Sequence, residues 1–203
     1  MVIEAYFDIL IDWLGEHAWR FCLALLGLLV FFWVKKNRFQ PAKLNIKLGG
    51  IGKIELTPVK QDRQIAHKIW VELVTRKAAI PLDPEHDVII EVFESWYQLF
   101  GRVRLLIADI DGDLLRKSDS TRKLVSIATT TLNEGLRPLL TKWQARYRHW
   151  YETERKKHPE LSPQDLQKTF PDFDALMAEM LSVNEELREY ANELRKLVTS
   201  EKI

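Results

Sequence analysis

From Phe21 to Val34 no residue carries a charge, and Lys35, Lys36 and Arg38 follow at once. A backbone in lipid must satisfy its own polar groups, so such a run can cross a bilayer only as a helix. Extended back through Ala18, Trp19 and Arg20, it covers residues 18–34, about 25 Å at ~1.5 Å per residue. A hydrocarbon core is about 30 Å thick, so the segment reads as a slightly short span. Arg20, at its edge, can lay its stem in apolar surroundings while the guanidinium reaches the headgroups. Trp19 and Trp33 bracket the segment as interfacial aromatics do. Leu, Phe and Val on every face argue against a half-buried helix of a water-soluble domain. A cleaved leader is also disfavoured: it would start with basic residues and end on small ones, and no Lys or Arg precedes Arg20.

Orientation follows from the cations. Beyond the run, Lys35, Lys36, Arg38, Lys43, Lys47 and Lys53 all come before the next acid, Glu55. Positive flanks stay on the cytoplasmic side, so the N-terminus is expected outside and the rest of the chain in the cytoplasm, at a bacterial inner membrane. The single cysteine, Cys22, lies within the span; intrachain disulfides and cysteine metal clusters are thereby excluded.

Before the span, Glu4, Asp8, Asp12 and Glu16 recur every four residues. On a helix each such step advances about 40° past a full turn, so the four carboxylates spread over roughly a third of the circumference. Val2, Ile3, Tyr6, Phe7, Ile9 and Leu10 are among the residues that fill the remainder. Residues 1–17 therefore read as an acidic amphipathic helix lying on the outer leaflet or packed on another membrane protein. A sharper alternative is oligomeric: several stripes together would line a cation-attracting vestibule or pore.

Beyond the span, charge is uneven although the whole chain carries only +1, which argues against a globally basic nucleic-acid binder. Residues 35–60 form a basic juxtamembrane segment. Within it Leu44, Ile46 and Leu48, then Ile54 and Leu56, alternate with polar residues around Gly49, Gly50 and Gly52, the period-two pattern of a short β-hairpin. The glycines lack the Lys-Ser/Thr pair of a phosphate loop.

Residues 61–203 switch to helical period. Ile65, Ile69 and Leu73 form one row beside Ala66, Trp70 and Val74. Asp83-Pro84-Glu85 reads as a helix start, followed by Ile89, Phe93, Trp96, Phe100, Val103 and Ile107. Asp119, Ser120 or Thr121 can cap a third helix carrying Leu124, Ala128, Leu132, Leu139, Trp143 and Trp150. Gly135 and Pro138 predict a kink or break in it. The cleanest heptad rhythm closes the chain: Phe173, Leu176, Met180, Val183, Leu187, Tyr190, Leu194 and Leu197. The fold class expected is mainly all-α: a transmembrane helix, a short hairpin, then an antiparallel bundle of about four long helices.

Catalytic constellations are hard to find. Leu105 to Asp113 superficially resembles the first motif of haloacid dehalogenase-type phosphatases, but helical period runs back to Ile89 and no strand–helix alternation follows. Asp109, Asp111 and Asp113 suggest a calcium loop, yet the glycine comes too early and Ser120 stands where a closing glutamate belongs. The Arg-to-His spacings do not fit the helical-bundle RNase pattern known as HEPN, and the five histidines make no ligand pair on one helical face. No catalytic residue, metal site or cofactor is expected. One segment is both basic and aromatic: Arg146, Arg148, His149, Arg155 and Lys156 are interleaved with Trp143, Tyr147, Trp150 and Tyr151. Cations suit phosphates or carboxylates and flat rings suit bases, so this is the candidate surface for an anionic ligand or partner. The favoured reading puts the aromatics in the core and the cations in solvent.

The functional expectation is a non-enzymatic, membrane-anchored interaction or scaffold module. Its partners are lipid and a protein or further copies through the bundle. Two rivals are an oligomerising effector that permeabilises the bilayer, for example in anti-phage defence, and a tethered binder of nucleic acid or another anion; nucleic acid is the less favoured partner.

Overall fold

The computed structural model describes residues 25–29, 44–48 and 52–199, and these are mostly helical. The chain divides into two compact units, one of residues 1–42 with 201–203 and one of Lys43–Ser200. In the first, 25–29 are helical and Leu25, Leu26, Leu28 and Leu29 are exposed. Among the described residues no helix is long and apolar enough to cross a membrane. The expected span at 18–34 lies outside the described residues except for 25–29. So do its flanking Trp19, Arg20, Trp33, Lys35, Lys36 and Arg38, and the acidic row Glu4, Asp8, Asp12 and Glu16.

The second unit begins with two strands, β1 (Leu44–Leu48) and β2 (Gly52–Leu56), paired antiparallel with Leu44 opposite Leu56 and Leu48 opposite Gly52. Residues 49–51, between them, lie outside the described residues. Helices α1 (Lys60–Val74) and α2 (Ile89–Ala108) follow, then a short α3 (Gly112–Lys117). From Asp119 to Lys157 the backbone stays helical: α4 (Asp119–Thr130), a π-wound stretch Thr131–Leu136, α5 (Arg137–Leu139), a second π-wound stretch Leu140–Gln144, and α6 (Ala145–Lys157). The short α7 (Pro163–Lys168) and the long α8 (Phe173–Thr199) complete it.

Side-chain contacts give the directions. Gly135 faces Glu186, Lys142 pairs with Glu179, and Arg146 with Asp172, so α8 runs antiparallel to the α4–α6 rod. Phe93 meets Tyr147 and Phe100 lies under Arg137, so α2 also runs against the rod. Arg76 bonds Gln98 while Gln61 and Gln64 share a cleft with Leu106 and Ile110, which sets α1 against α2. The result is a bundle with one pole at the strands, Asp62 and Ser120, and the other at Tyr147, Phe170 and Phe173. Residues 119–157 span roughly 58 Å at ~1.5 Å per residue.

The core follows the helical period. α1 buries Ala66, Ile69 and Leu73; α2 buries Ile89, Val92, Phe93, Trp96, Leu99 and Val103. Ile65, Trp70, Val74, Phe100, Ile107, Trp150 and Val183 are only half-buried against it. Three expectations are corrected. Asp83 does not start the second helix: its carboxylate accepts from the Glu85 and His86 N–H groups in a local turn, and α2 begins only at Ile89. The kink or break expected at Gly135 and Pro138 takes the form of π-wound stretches at Thr131–Leu136 and Leu140–Gln144, and the helix does not end there. A proline removes one N–H and crowds the carbonyl a turn earlier; the wider winding directly ahead of it offsets those carbonyls and lets the helix continue. The cap of α4 is Ser118, whose Oγ accepts from the Thr121 N–H at 3.2 Å, leaving Ser120 and Thr121 for a buried contact.

Candidate functional site

Three buried polar side chains hold the bundle together at its ends. Asp62 has 1% relative exposure; it accepts from the Val59 N–H at 2.8 Å, from Ser120 Oγ at 2.5 Å and from Thr121 Oγ1 at 2.5 Å. That ties the start of α1 to the start of α4 and closes the strand pole. Gln167, fully buried, accepts from the Ile89 N–H at 2.9 Å and donates to the Asp87 carbonyl at 2.9 Å, so a side chain of α7 caps α2. Asn184 accepts from the Leu82 N–H at 3.1 Å and donates to the carbonyls of Lys77 (2.9 Å), Ala78 (3.0 Å) and Ile80 (3.0 Å). The connection 75–88 is thus strapped to α8 by one amide. Burying such groups is tolerable only because each finds a partner.

The pole away from the strands carries the basic and aromatic segment. Lys and Arg at the end of α6, namely Arg155, Lys156 and Lys157, complement the carbonyl end of the helix dipole. Tyr147 and Tyr151 face inward and Trp143 is buried one turn earlier. Tyr147 stacks on Tyr151 at 5.8 Å, meets Trp150 at 5.6 Å and stands edge-on to Phe170 at 5.2 Å. Burial pushes the Tyr147 phenol well above its ordinary value, and its hydroxyl has no hydrogen-bond partner among the described residues. The flat rings are therefore packed inward rather than offered for stacking on bases. Trp96 and Tyr97 divide likewise: Trp96 is buried and Tyr97 is exposed.

The five candidate cations do not form one group. Arg146 pairs with Asp172 and lies over the rings of Trp143 (5.4 Å) and Phe170 (5.8 Å), so it seals the edge of the aromatic core. At about 100° per residue, Arg148, His149, Arg155 and Lys156 share one face of α6, all exposed, with Glu152 among them. They make no ion pair with another described residue, whereas the neighbouring Lys157 bonds Glu154 at 2.7 Å and His158 lies 3.3 Å from Glu160. This face is exposed and, apart from Glu152, basic. It can attract and orient an acidic surface. One turn inward on the rod, Lys142 and the Trp143 indole N–H both donate to Glu179. Lys142, then Trp143, hold that carboxyl below its usual range.

Among the described residues no group of three or more His, Cys, Asp or Glu side chains could hold a metal ion. Asp109 and Asp111 line an open cleft with Gln61, Gln64 and Lys68, while Asp113 is engaged by Arg116 at 3.1 Å, so the three aspartates do not converge. Sequence reading missed Asp62, Gln167 and Asn184. Only Asn184 left a trace: Met180, Asn184, Leu187, Ala191 and Leu194 follow steps of four and three, with the amide on an apolar position. Compared with protein-family models, with curated proteins and with solved structures, the chain matches none.

Proposed function

We propose that this chain is a single-pass membrane protein whose helical unit holds an acidic protein partner, or further copies of itself, at the cytoplasmic face without catalysing a reaction. The observation that carries the reading is the charge-free run Phe21 to Val34 with its purely cationic flank Lys35, Lys36 and Arg38. Only residues 35–43 separate that run from the first strand, a reach of at most about 32 Å, so the helical unit would work close to the lipid. The plane of Arg148, His149, Arg155 and Lys156 at the pole opposite the strands supports a polar protein contact, because unpaired cations there gain most from a complementary surface.

The test is affinity purification of the intact chain from native membranes with crosslinking, beside a triple variant R148E/R155E/K156E. The reading expects sedimentation with membranes resistant to carbonate washing, a cytoplasmic reporter signal from a fusion at Ile203, and a crosslinked partner lost in the variant while membrane residence is kept. An exported reporter or a carbonate-released chain overturns the anchor; an unchanged crosslinking pattern in the variant overturns the docking face. The acidic row Glu4, Asp8, Asp12 and Glu16 supports a second reading, a bilayer-permeabilising assembly. Ion flux from liposomes on forced clustering, lost when the four acids are neutralised, is its signature; unchanged permeability overturns it.

A further inference from the structure

A groove runs along the bundle where α2 meets the first π-wound stretch. Its floor is apolar: Phe100 and Ile107 from α2 are half-buried, and Leu132 opposite is buried. Two arginines rim it. Arg137 lays its guanidinium 4.8 Å from the centre of the Phe100 ring and donates from Nε to Asn133 Oδ1 at 3.1 Å. This leaves both terminal nitrogens of Arg137 without a partner among the described residues. Arg104, one turn beyond Phe100 on the same helix, lines the same groove and makes no ion pair or side-chain hydrogen bond with a described residue. No acidic side chain is among the lining residues. Elsewhere in the unit many cations at or near the surface are matched by an acid one helical turn away, as Arg76 is by Glu72, Lys123 by Asp119 and Lys196 by Glu193. Here two of them line one apolar-floored groove, with no acidic side chain among its described lining residues.

We propose that this groove binds a small amphipathic anion, an aryl or short alkyl group bearing a carboxylate. Charge and size both point to that class. The pair of guanidiniums can each offer two parallel N–H donors to a planar carboxylate, while Phe100, Ile107 and Leu132 shelter the apolar end. The groove has a volume of about 210 Å3; an apolar cavity of about 150 Å3 suffices for benzene, so an aromatic ring with a short acid tail fits. Asn133, which holds Arg137 in place, is a positioning residue.

The experiment uses the full chain in lipid nanodiscs, with 3-(4-fluorophenyl)propionate as probe and 19F line broadening as readout, against empty nanodiscs. The neutral 3-(4-fluorophenyl)propan-1-ol serves as the uncharged counterpart. The expected result is saturable binding of the acid, about tenfold weaker binding of the alcohol, and about tenfold weaker acid binding by R104A and by R137A. R102A, an exposed arginine outside the groove, should bind as the unmodified chain does. Arg104 and Arg137 are themselves exposed, and an unchanged thermal midpoint will confirm that both variants fold. No broadening above empty nanodiscs, equal affinity for acid and alcohol, or undiminished binding by the R104A/R137A double variant overturns the proposal.

Discussion

Replacing Asn184 with leucine tests whether one amide fixes the connection 75–88. The side chain is 3% exposed, and leucine matches it closely in volume, so little cavity forms. What changes is four hydrogen bonds. Those to the Leu82 N–H and the Ala78 carbonyl are buried; those to Lys77 and Ile80 lie nearer the surface, where water can replace the amide. A buried polar group left unpaired costs about 1–3 kcal/mol. Two such groups, partly relieved by loop relaxation, place the loss at about 2–4 kcal/mol. For a domain of this size 1 kcal/mol moves the midpoint by about 2–4 °C, so Asn184→Leu should melt roughly 4–16 °C lower while remaining folded, since domains have about 5–15 kcal/mol in hand. Asn184→Asp should fare worse, because a carboxylate would face three carbonyls. Urea and thermal denaturation followed by tryptophan fluorescence read the loss, and hydrogen exchange at the Leu82 amide localises it. A midpoint within 2 °C of the unmodified chain, or unchanged exchange at Leu82, would refute the reasoning.

Other perturbations probe the remaining polar contacts. Asp62→Ala strands the Val59 N–H and the hydroxyls of Ser120 and Thr121 and should cost about 2–4 kcal/mol in urea titrations; D62A/S120A/T121A should cost no more than D62A, since the stranded hydroxyls are gone. Glu179 has a depressed folded-state pKa, caused first by Lys142 and then by Trp143. Its contribution is therefore present above the ordinary carboxylate value and is lost as pH falls through the lowered folded value. Glu179→Gln should be slightly less stable than the parent at pH 7 and equal to it in strong acid, and a pH-independent difference would contradict the pairing. Tyr190 is buried with a hydroxyl lacking a partner among the described residues, and burial pushes its phenol up. Tyr190→Phe removes an uncompensated desolvation and should leave stability unchanged or raise it by about 1 kcal/mol; a clear destabilisation would reveal a partner for that hydroxyl.

Much of the helical part was legible because it rests on local periodicity. The rows on α1, α2 and α8 needed only the 3.6-residue repeat to name Ile69, Trp96 and Leu187 as core. The inward turn of Tyr147 and Trp143 followed from the same rule. Where local signals competed, the reading erred. Asp83-Pro84-Glu85 has the residue types of a helix start, but Asp83 satisfies its own turn instead. Pro138 has the chemistry of a breaker, yet a change of winding absorbs it. The candidate cations were identifiable by type, but not their separation: Arg146 is taken up by Asp172, twenty-six residues away, and this leaves Arg148, His149, Arg155 and Lys156 as the open face.

The amino-acid order alone determined which segments could be helical, which side of each could be buried, and where a bilayer-compatible run and its cationic flank lie, because these are properties of residue type and short spacing. Tertiary structure decided the rest. Asn184 meets Leu82 across 102 residues, Gln167 meets Ile89 across 78, and Asp62 meets Ser120 across 58. A polar side chain in an apolar row is costly until the fold delivers its partner, and no short-range pattern encodes where that partner will stand. The groove has the same origin in part: Arg104 stands one turn from Phe100 on α2 by local spacing alone, and only the packing of α2 on the α4–α6 rod brings Arg137 over the same ring.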